Sequence, residues 1–182
     1  MNICVFGGAS PLADNDYQEM AKEVGRRIAS AGHTLIFGGG AAGMMGSAAS
    51  GALEAGGEVI GILPKFLFER EPPHPQVTDM RVVETMHERK SQMYELADGF
   101  IALPGGFGTL EEVMEILTWR QLSLHKKPIF FVGGDNFWDG VRETFDKMKT
   151  CGFLTSEDRS LASFSVSPNQ LIDMLHVHAK TG

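Results

Sequence analysis

Seven short apolar runs, separated by helical patterns or turn-rich connections, narrow the architectures open to this chain more than any other feature. The runs are Ile3–Phe6, Thr34–Phe37, Val59–Leu63, Met80–Val83, Phe100–Leu103, Ile129–Val132 and Ser163–Val166, rich in β-branched and aromatic residues. Strands this continuously apolar have no polar face, so both sides of their sheet must be covered. Between the first two runs, Tyr17, Met20, Ala21, Val24 and Ile28 share one helical face, opened by Asp14-Asn15-Asp16 and stopped by Gly32. Trp138, Val141, Phe145 and Met148 repeat that stripe before Gly152. "SPNQL" then starts a last helix, with Ser167 as cap and Pro168 at the first helical position. Strand and helix in alternation specify a parallel sheet. The expectation is an α/β fold: one doubly wound, Rossmann-like domain over residues 1–182 with about seven strands.

In such sheets ligands bind beyond the carboxyl ends of the strands, where strand order reverses. Three loops that follow strands are glycine-rich: "GGAS" from Gly7, "GGGAAGMMG" from Gly38 and "PGGFGT" from Pro104. The second contains G-x-G-x-x-G as Gly38, Gly40 and Gly43. A dinucleotide site also wants an acid at the end of the next strand, about twenty residues on. Glu58 precedes its strand, which ends in "LPK", so NAD is not expected. A Walker A lysine is absent from all three loops, which disfavours a nucleoside triphosphate. A small phosphate remains, held by exposed N–H groups and a helix N-terminus; ordinary tight turns are the alternative. Pro64 to Asp79, with four prolines, reads as a long loop, either a lid or binding element or a plain surface connection.

Composition removes several function classes. A chain of 182 residues, 43% hydrophobic, can bury a full core. Its net charge of −7 opposes wrapping of nucleic acid. Two cysteines make no disulfide framework; Cys4 reads as a buried thiol, and no His or Cys stands at metal spacing. "MNICVFGGAS" lacks a signal-peptide pattern and no run is long enough to span a membrane, so a soluble, cytoplasmic protein is expected.

Two segments have capping-box spacing: Thr109 with Glu112, and Thr85 with Glu88. Capping alone explains either glutamate. Position separates them, because Glu112 follows a loop leaving a buried strand, at a helix N-terminus that faces the expected crevice. There the helix dipole favours an ionised carboxylate, suited to stabilising charge at an anomeric carbon and orienting a water. Arg89, next to Glu88, opposes the dipole of its own helix. A fork for phosphate or carboxylate is the better motive, with an exposed surface arginine as rival.

"MHERK" followed by "PGGFGTLEE" resembles the LOG (Lonely Guy) family of cytokinin riboside 5′-monophosphate phosphoribohydrolases, long mislabelled as lysine decarboxylases. "CVFGGAS", "LIFGGGAAGMMGSAASGALEAGGEVIGILP", "ADGFIALPGG" and "LTWRQLSLHKKPI" are also similar to family segments. The resemblance implies metal-independent and cofactor-free hydrolysis of the N-glycosidic bond of an N6-modified AMP, or of AMP. Arg89 and Glu112 would be the catalytic pair. Gly105, Gly106, Gly108 and Thr109 would hold the 5′-phosphate, with Ser10, Gly39, Gly40, Met86 and Lys90 also at the nucleotide. It further implies a homodimer, for which the Trp119 helix "VMEILTWRQL" is a candidate. The first loop reads "GGAS" where the family usually has Cys-Gly-Ser-Ser. The rival readings are a pyridoxal-dependent decarboxylase, a DNA-associated Rossmann protein and a non-catalytic carrier of a nucleotide or nucleotide-like cofactor. For the first, Lys90 is the lone candidate lysine; for the carrier, Glu112 is unnecessary.

Overall fold

The computed structural model describes residues 1–77, 79–134, 136–165 and 167–181; the side chains of Ser165, Asn169 and residues 178–181 lie outside that description. Seven strands run β1 Asn2–Phe6, β2 Thr34–Phe37, β3 Val59–Pro64, β4 Asp79–Val83, β5 Gly99–Ala102, β6 Ile129–Val132 and β7 Ala162–Ser165. Between and after them lie α1 Asn15–Ser30, α2 Gly43–Glu54, α3 Met86–Leu96, α4 Phe107–Gln121, α5 Asp139–Thr150, α6 Ser156–Ser160 and α7 Pro168–Thr181. All strands are parallel, in the order β4-β3-β2-β1-β5-β6-β7. Strand order reverses between β1 and β5, as a doubly wound sheet requires. Among the described residues no helix is long and apolar enough to cross a membrane.

Alternation along each strand splits the core in two. Ile3, Val5, Leu35, Phe37 and Ile101 pack toward α1, α2 and α7, through Val24, Ile28, Ala48 and Leu171. Cys4, Phe6, Ile36, Phe100 and Phe131 face Met93 of α3, Val113 and Ile116 of α4, and Phe145 of α5. Each side thus gets the apolar cover that the strand sequences demand. Cys4 is fully buried in the second layer, and burial pushes its thiol well above the usual range.

Helix ends depart from the sequence reading in instructive ways. Asp14 caps α1 by accepting from Asp16 N at 3.0 Å, as expected. Thr85 caps α3 by accepting from Glu88 N, but Glu88 reaches back to Glu84 N rather than to Thr85. The Thr109–Glu112 box does not form. Its helix begins earlier, with Gly106 as N-cap, which puts Thr109 inside the first turn. A reciprocal box does form between Thr155 and Asp158, at the start of α6. Pro168 opens α7 as expected, whereas Val166, the end of the seventh expected strand, lies outside the described residues.

The proline-rich stretch is not a plain surface connection. Pro64 completes β3 and Lys65–Leu67 form a single 3-10 turn. Beyond it the chain is tied to the second glycine loop: Ala41 N donates to Pro72 O and His74 N to Gly39 O, each at 2.9 Å. His74 and Val77 are buried beneath.

Candidate active site

Main-chain bonds lock the three glycine loops together at the point of reversal. Gly8 N donates to Pro104 O at 2.9 Å, and Met44 N, in the first turn of α2, donates to Gly8 O at 2.8 Å. Gly43 has φ +66°, and a Cβ there would fall 2.4 Å from Gly8 O, so glycine is needed both for the turn and for the approach.

Beside this junction opens a cleft of about 540 Å³, the size of a small-molecule site. Its walls come from the β1 loop, α3, the start of α4 and the proline-rich loop. Arg89 and Glu112 both line it, yet they are only 5% and 7% exposed. Arg89 Nη2 stands 3.9 Å from Glu112 Oε1. The rival reading of Arg89 as an exposed surface residue therefore fails.

Glu112 also departs from its expected charge state. It lies beyond the first turn of α4, where the dipole is weak, and it is nearly sealed from water. Burial pushes its carboxyl up to about 7; Arg89 opposes the shift, and the nearby acids Glu111 and Glu71 add to it. Burial thus works against the ionised form that the dipole was expected to favour, because desolvation is the larger effect. Near neutrality the group can both take and give a proton.

The N-terminus of α4 receives no side-chain cap. Its first N–H groups accordingly have no side-chain acceptor, and they carry the positive end of the dipole. Nothing lies within 4 Å of where a Cβ would sit at Gly106 or Gly108, so the backbone there is open to close approach. A Cβ at Gly105 would instead meet Thr109 Oγ1 at 2.1 Å. Thr109 is buried against this turn and braces it, rather than capping the helix.

Among the other sequence candidates, Ser10, Met86, Gly106, Gly108 and Thr109 line the cleft. Gly105 lines an adjoining hollow of about 320 Å³, which shares Gly8, Ser10 and Gly106 with it. Gly39 and Gly40 are not in the cleft wall: they lie under the proline-rich loop, and Gly39 is left-handed at φ +84° against Leu63. Lys90 is not there either. Its Nζ pairs with Glu111 at 2.6 Å and Glu115 at 3.1 Å, tying α3 to α4.

The model of a family described as "Possible lysine decarboxylase" matches residues 45–175. The chain is 39% identical over 170 residues to the cytokinin riboside 5′-monophosphate phosphoribohydrolase LOG of Oryza sativa subsp. japonica, covering 93% of this chain and 70% of that protein. The chain belongs to the LOG family. This LOG chain is also 37% identical to the cytokinin riboside 5′-monophosphate phosphoribohydrolase LOG3 of Arabidopsis thaliana, over 97% of this chain and 82% of that one. Among solved structures it is similar to the molybdenum cofactor binding protein of Rippkaea orientalis, with TM-score 0.76, 26% identity and 97% and 95% of the two chains covered. The molybdenum cofactor carrier protein of Chlamydomonas reinhardtii shares the fold, with TM-score 0.74, 23% identity and 98% of each chain covered.

Sequence reasoning missed several cleft residues in the LOG chain: Phe66, Leu67, Arg70 and Glu71 from the proline-rich loop, and Met45 from α2. It also missed why the first glycine of "GGG" matters. A Cβ on Gly38 would lie 1.8 Å from Arg89 Nη2, so that glycine is the seat of the guanidinium.

Proposed function

We propose that this protein hydrolyses the N-glycosidic bond of a purine nucleoside 5′-monophosphate, a cytokinin riboside 5′-monophosphate or AMP, to the free base and ribose 5-phosphate. The observation that carries the reading is a buried guanidinium–carboxylate pair beside a helix N-terminus that no side chain caps. The 5′-phosphate fits the N–H groups that follow Gly106, with Ser10 across the cleft. The ribose then lies toward Glu112. Departure of the base leaves positive charge on the anomeric carbon, which the Glu112 carboxylate stabilises. The same carboxylate takes a proton from the attacking water. Oxygen from that water joins the anomeric carbon as the carbon–nitrogen bond breaks, and the proton that Glu112 took passes through solvent to the departing base, which restores the carboxylate. Arg89 orients the carboxylate and offsets its charge.

A second reading, a nucleotide carrier that does not cleave, draws on the likeness to the Rippkaea protein. It is weaker, because a carrier has no use for a carboxylate poised near pH 7. Chromatography of AMP, isopentenyladenosine monophosphate and adenosine after incubation separates the two. Free base from the monophosphates and none from adenosine is expected; intact nucleotides together with a thermal shift on binding would favour the carrier.

The homodimer is likewise a proposal. Trp119 packs edge-on to Tyr94 with ring centroids 4.8 Å apart, and Leu122 and Leu124 beyond it are 64% and 63% exposed. Apolar exposure of this kind on one edge suits a second copy. Light scattering should give twice 19.8 kDa, and Leu122→Lys with Leu124→Lys should return the monomer. A wild-type mass of 19.8 kDa would dismiss the dimer.

A further inference from the structure

The hollow beside the cleft has no task in the chemistry above. It holds about 320 Å³ and meets the cleft at three shared residues, Gly8, Ser10 and Gly106. Two of these, Ser10 and Gly106, frame the place given to the 5′-phosphate. A phosphate there has the cleft with Glu112 on one side and the hollow on the other. One of its oxygens leads to the ribose in the cleft, and another can carry a second group into the hollow.

The lining narrows what that group is. Ala13, Met44, Pro104, Tyr17 and Phe137 give the hollow an apolar, partly aromatic wall. Tyr17 and Phe137 stand edge to face, with ring centroids 5.6 Å apart and planes at 75°, and Phe137 is still 39% exposed. Both rings are held: Trp138 packs on Phe137 at 4.8 Å, and Tyr17 packs against the core. A fixed aromatic wall of this kind suits a planar base. Charge narrows the group further. Among the described residues Asp14 is the one charged residue of the lining, held as the cap of α1 by its bond from Asp16 N. Arg70 and Arg89 line the cleft but not the hollow. A second phosphate would therefore meet an acid and no base, whereas esterifying the first phosphate removes a negative charge from that side.

We infer that the hollow is a second substrate site, for a planar base carried on the far side of the 5′-phosphate, and that the protein also acts on dinucleotides. The inference rests on the phosphoribohydrolase reading of the cleft. Water adds to the anomeric carbon of the nucleoside esterified at its 5′ oxygen, the carbon–nitrogen bond of that nucleoside breaks, and its base leaves. The phosphodiester is untouched. The product is a free ribose still joined through its 5-phosphate to the second nucleoside. The hollow contributes binding, so its effect belongs in KM.

The test compares AMP, the methyl ester of AMP and guanylyl-(3′→5′)-adenosine, with the released base read by chromatography. Wild type should release adenine, and no guanine, from the dinucleotide. Its KM should lie about tenfold below that of the methyl ester, the size of one base–aromatic contact. Phe137→Ala should raise the dinucleotide KM by about that factor and leave AMP and the methyl ester as they were. Ala13→Trp, which fills the hollow from another wall, should do the same without touching Phe137. Cleavage of AMP without cleavage of the dinucleotide would overturn the inference, as would equal KM values for the dinucleotide and the methyl ester. A loss in Phe137→Ala shared equally by all three substrates would overturn it too. Calorimetric binding of the dinucleotide and the methyl ester separates the site from the chemistry. A preference for the dinucleotide that Phe137→Ala abolishes, with no substrate cleaved, would keep the second site and count against the proposed function alone.

Discussion

Glu112→Gln should abolish base release, by about 10³-fold or more, because a neutral amide neither takes the proton of the water nor offsets the charge on the sugar. The wild-type kcat/KM should rise with pH to a plateau with a midpoint near 7, the value of the buried carboxyl. The second ionisation of the substrate phosphate lies lower, near 6, so the two limbs are separable. A profile that falls through pH 7 would instead make Glu112 the proton donor. The same substitution has a stability signature that catalysis does not touch. Glu112 titrates near its ordinary value in the unfolded chain but near 7 in the fold, so the native state holds its proton more tightly. Its contribution to stability is therefore present at low pH and is lost as pH rises through 7. Relative to wild type, Glu112→Gln should gain about 3 kcal/mol between pH 5 and 8, or roughly 10 °C in Tm for a chain of this size. A pH-independent difference in Tm would show that the carboxyl is not buried in solution.

Arg89→Ala should also cost about 10³-fold in kcat/KM, through a different route. Without the guanidinium the larger of the two charges that oppose the burial of Glu112 is gone, leaving Lys90, and its titration moves further above 7. The residual activity should therefore have its midpoint shifted to higher pH. Breaking a buried ion pair typically costs 3–5 kcal/mol. Here Glu112 can take up a proton instead, so unfolding measurements should show a loss below about 3 kcal/mol. Gly38→Ala makes the same point from the other side. The new methyl would displace the far end of a flexible side chain rather than backbone, so the fold should tolerate it. The guanidinium must move by more than an ångström, which should cost about 10²-fold in turnover. Activity unchanged in Gly38→Ala would mean that the seat of Arg89 is unimportant.

Local pattern carried most of the architecture. Each strand and the apolar stripes of α1 and α5 have a period that a single segment displays, and the sheet required by such strands is the sheet observed. Arg89 and Glu112 could be named as candidates because each sits in a specific short motif, and the fold brings the two together in one cleft. What escaped depends on distant segments meeting. Glu71 lies in a stretch without periodicity, and it reaches the cleft that Arg89 and Glu112 line only when the proline-rich loop folds over the second glycine loop. The spacing of Thr109 and Glu112 is the i, i+3 spacing of any helix, so it could not reveal that the helix starts earlier, at a glycine with no side chain to announce it. The raised titration of Glu112 escaped for a related reason: dipole position can be guessed from sequence, whereas burial follows from packing.

The pairing of β1 with β5 has a consequence for how the molecule is made. Ile3 pairs with Gly99, so one edge of the first strand stays open until more than half the chain has been synthesised. At 5–20 residues per second that interval is roughly 5–20 s, during which an apolar strand edge is exposed to other nascent chains. Both glycine loops that meet beside the cleft hang from these two strands, with Gly8 bonded to Pro104. The candidate active site is therefore completed late in biogenesis, by the same pairing that closes the open edge of the first strand.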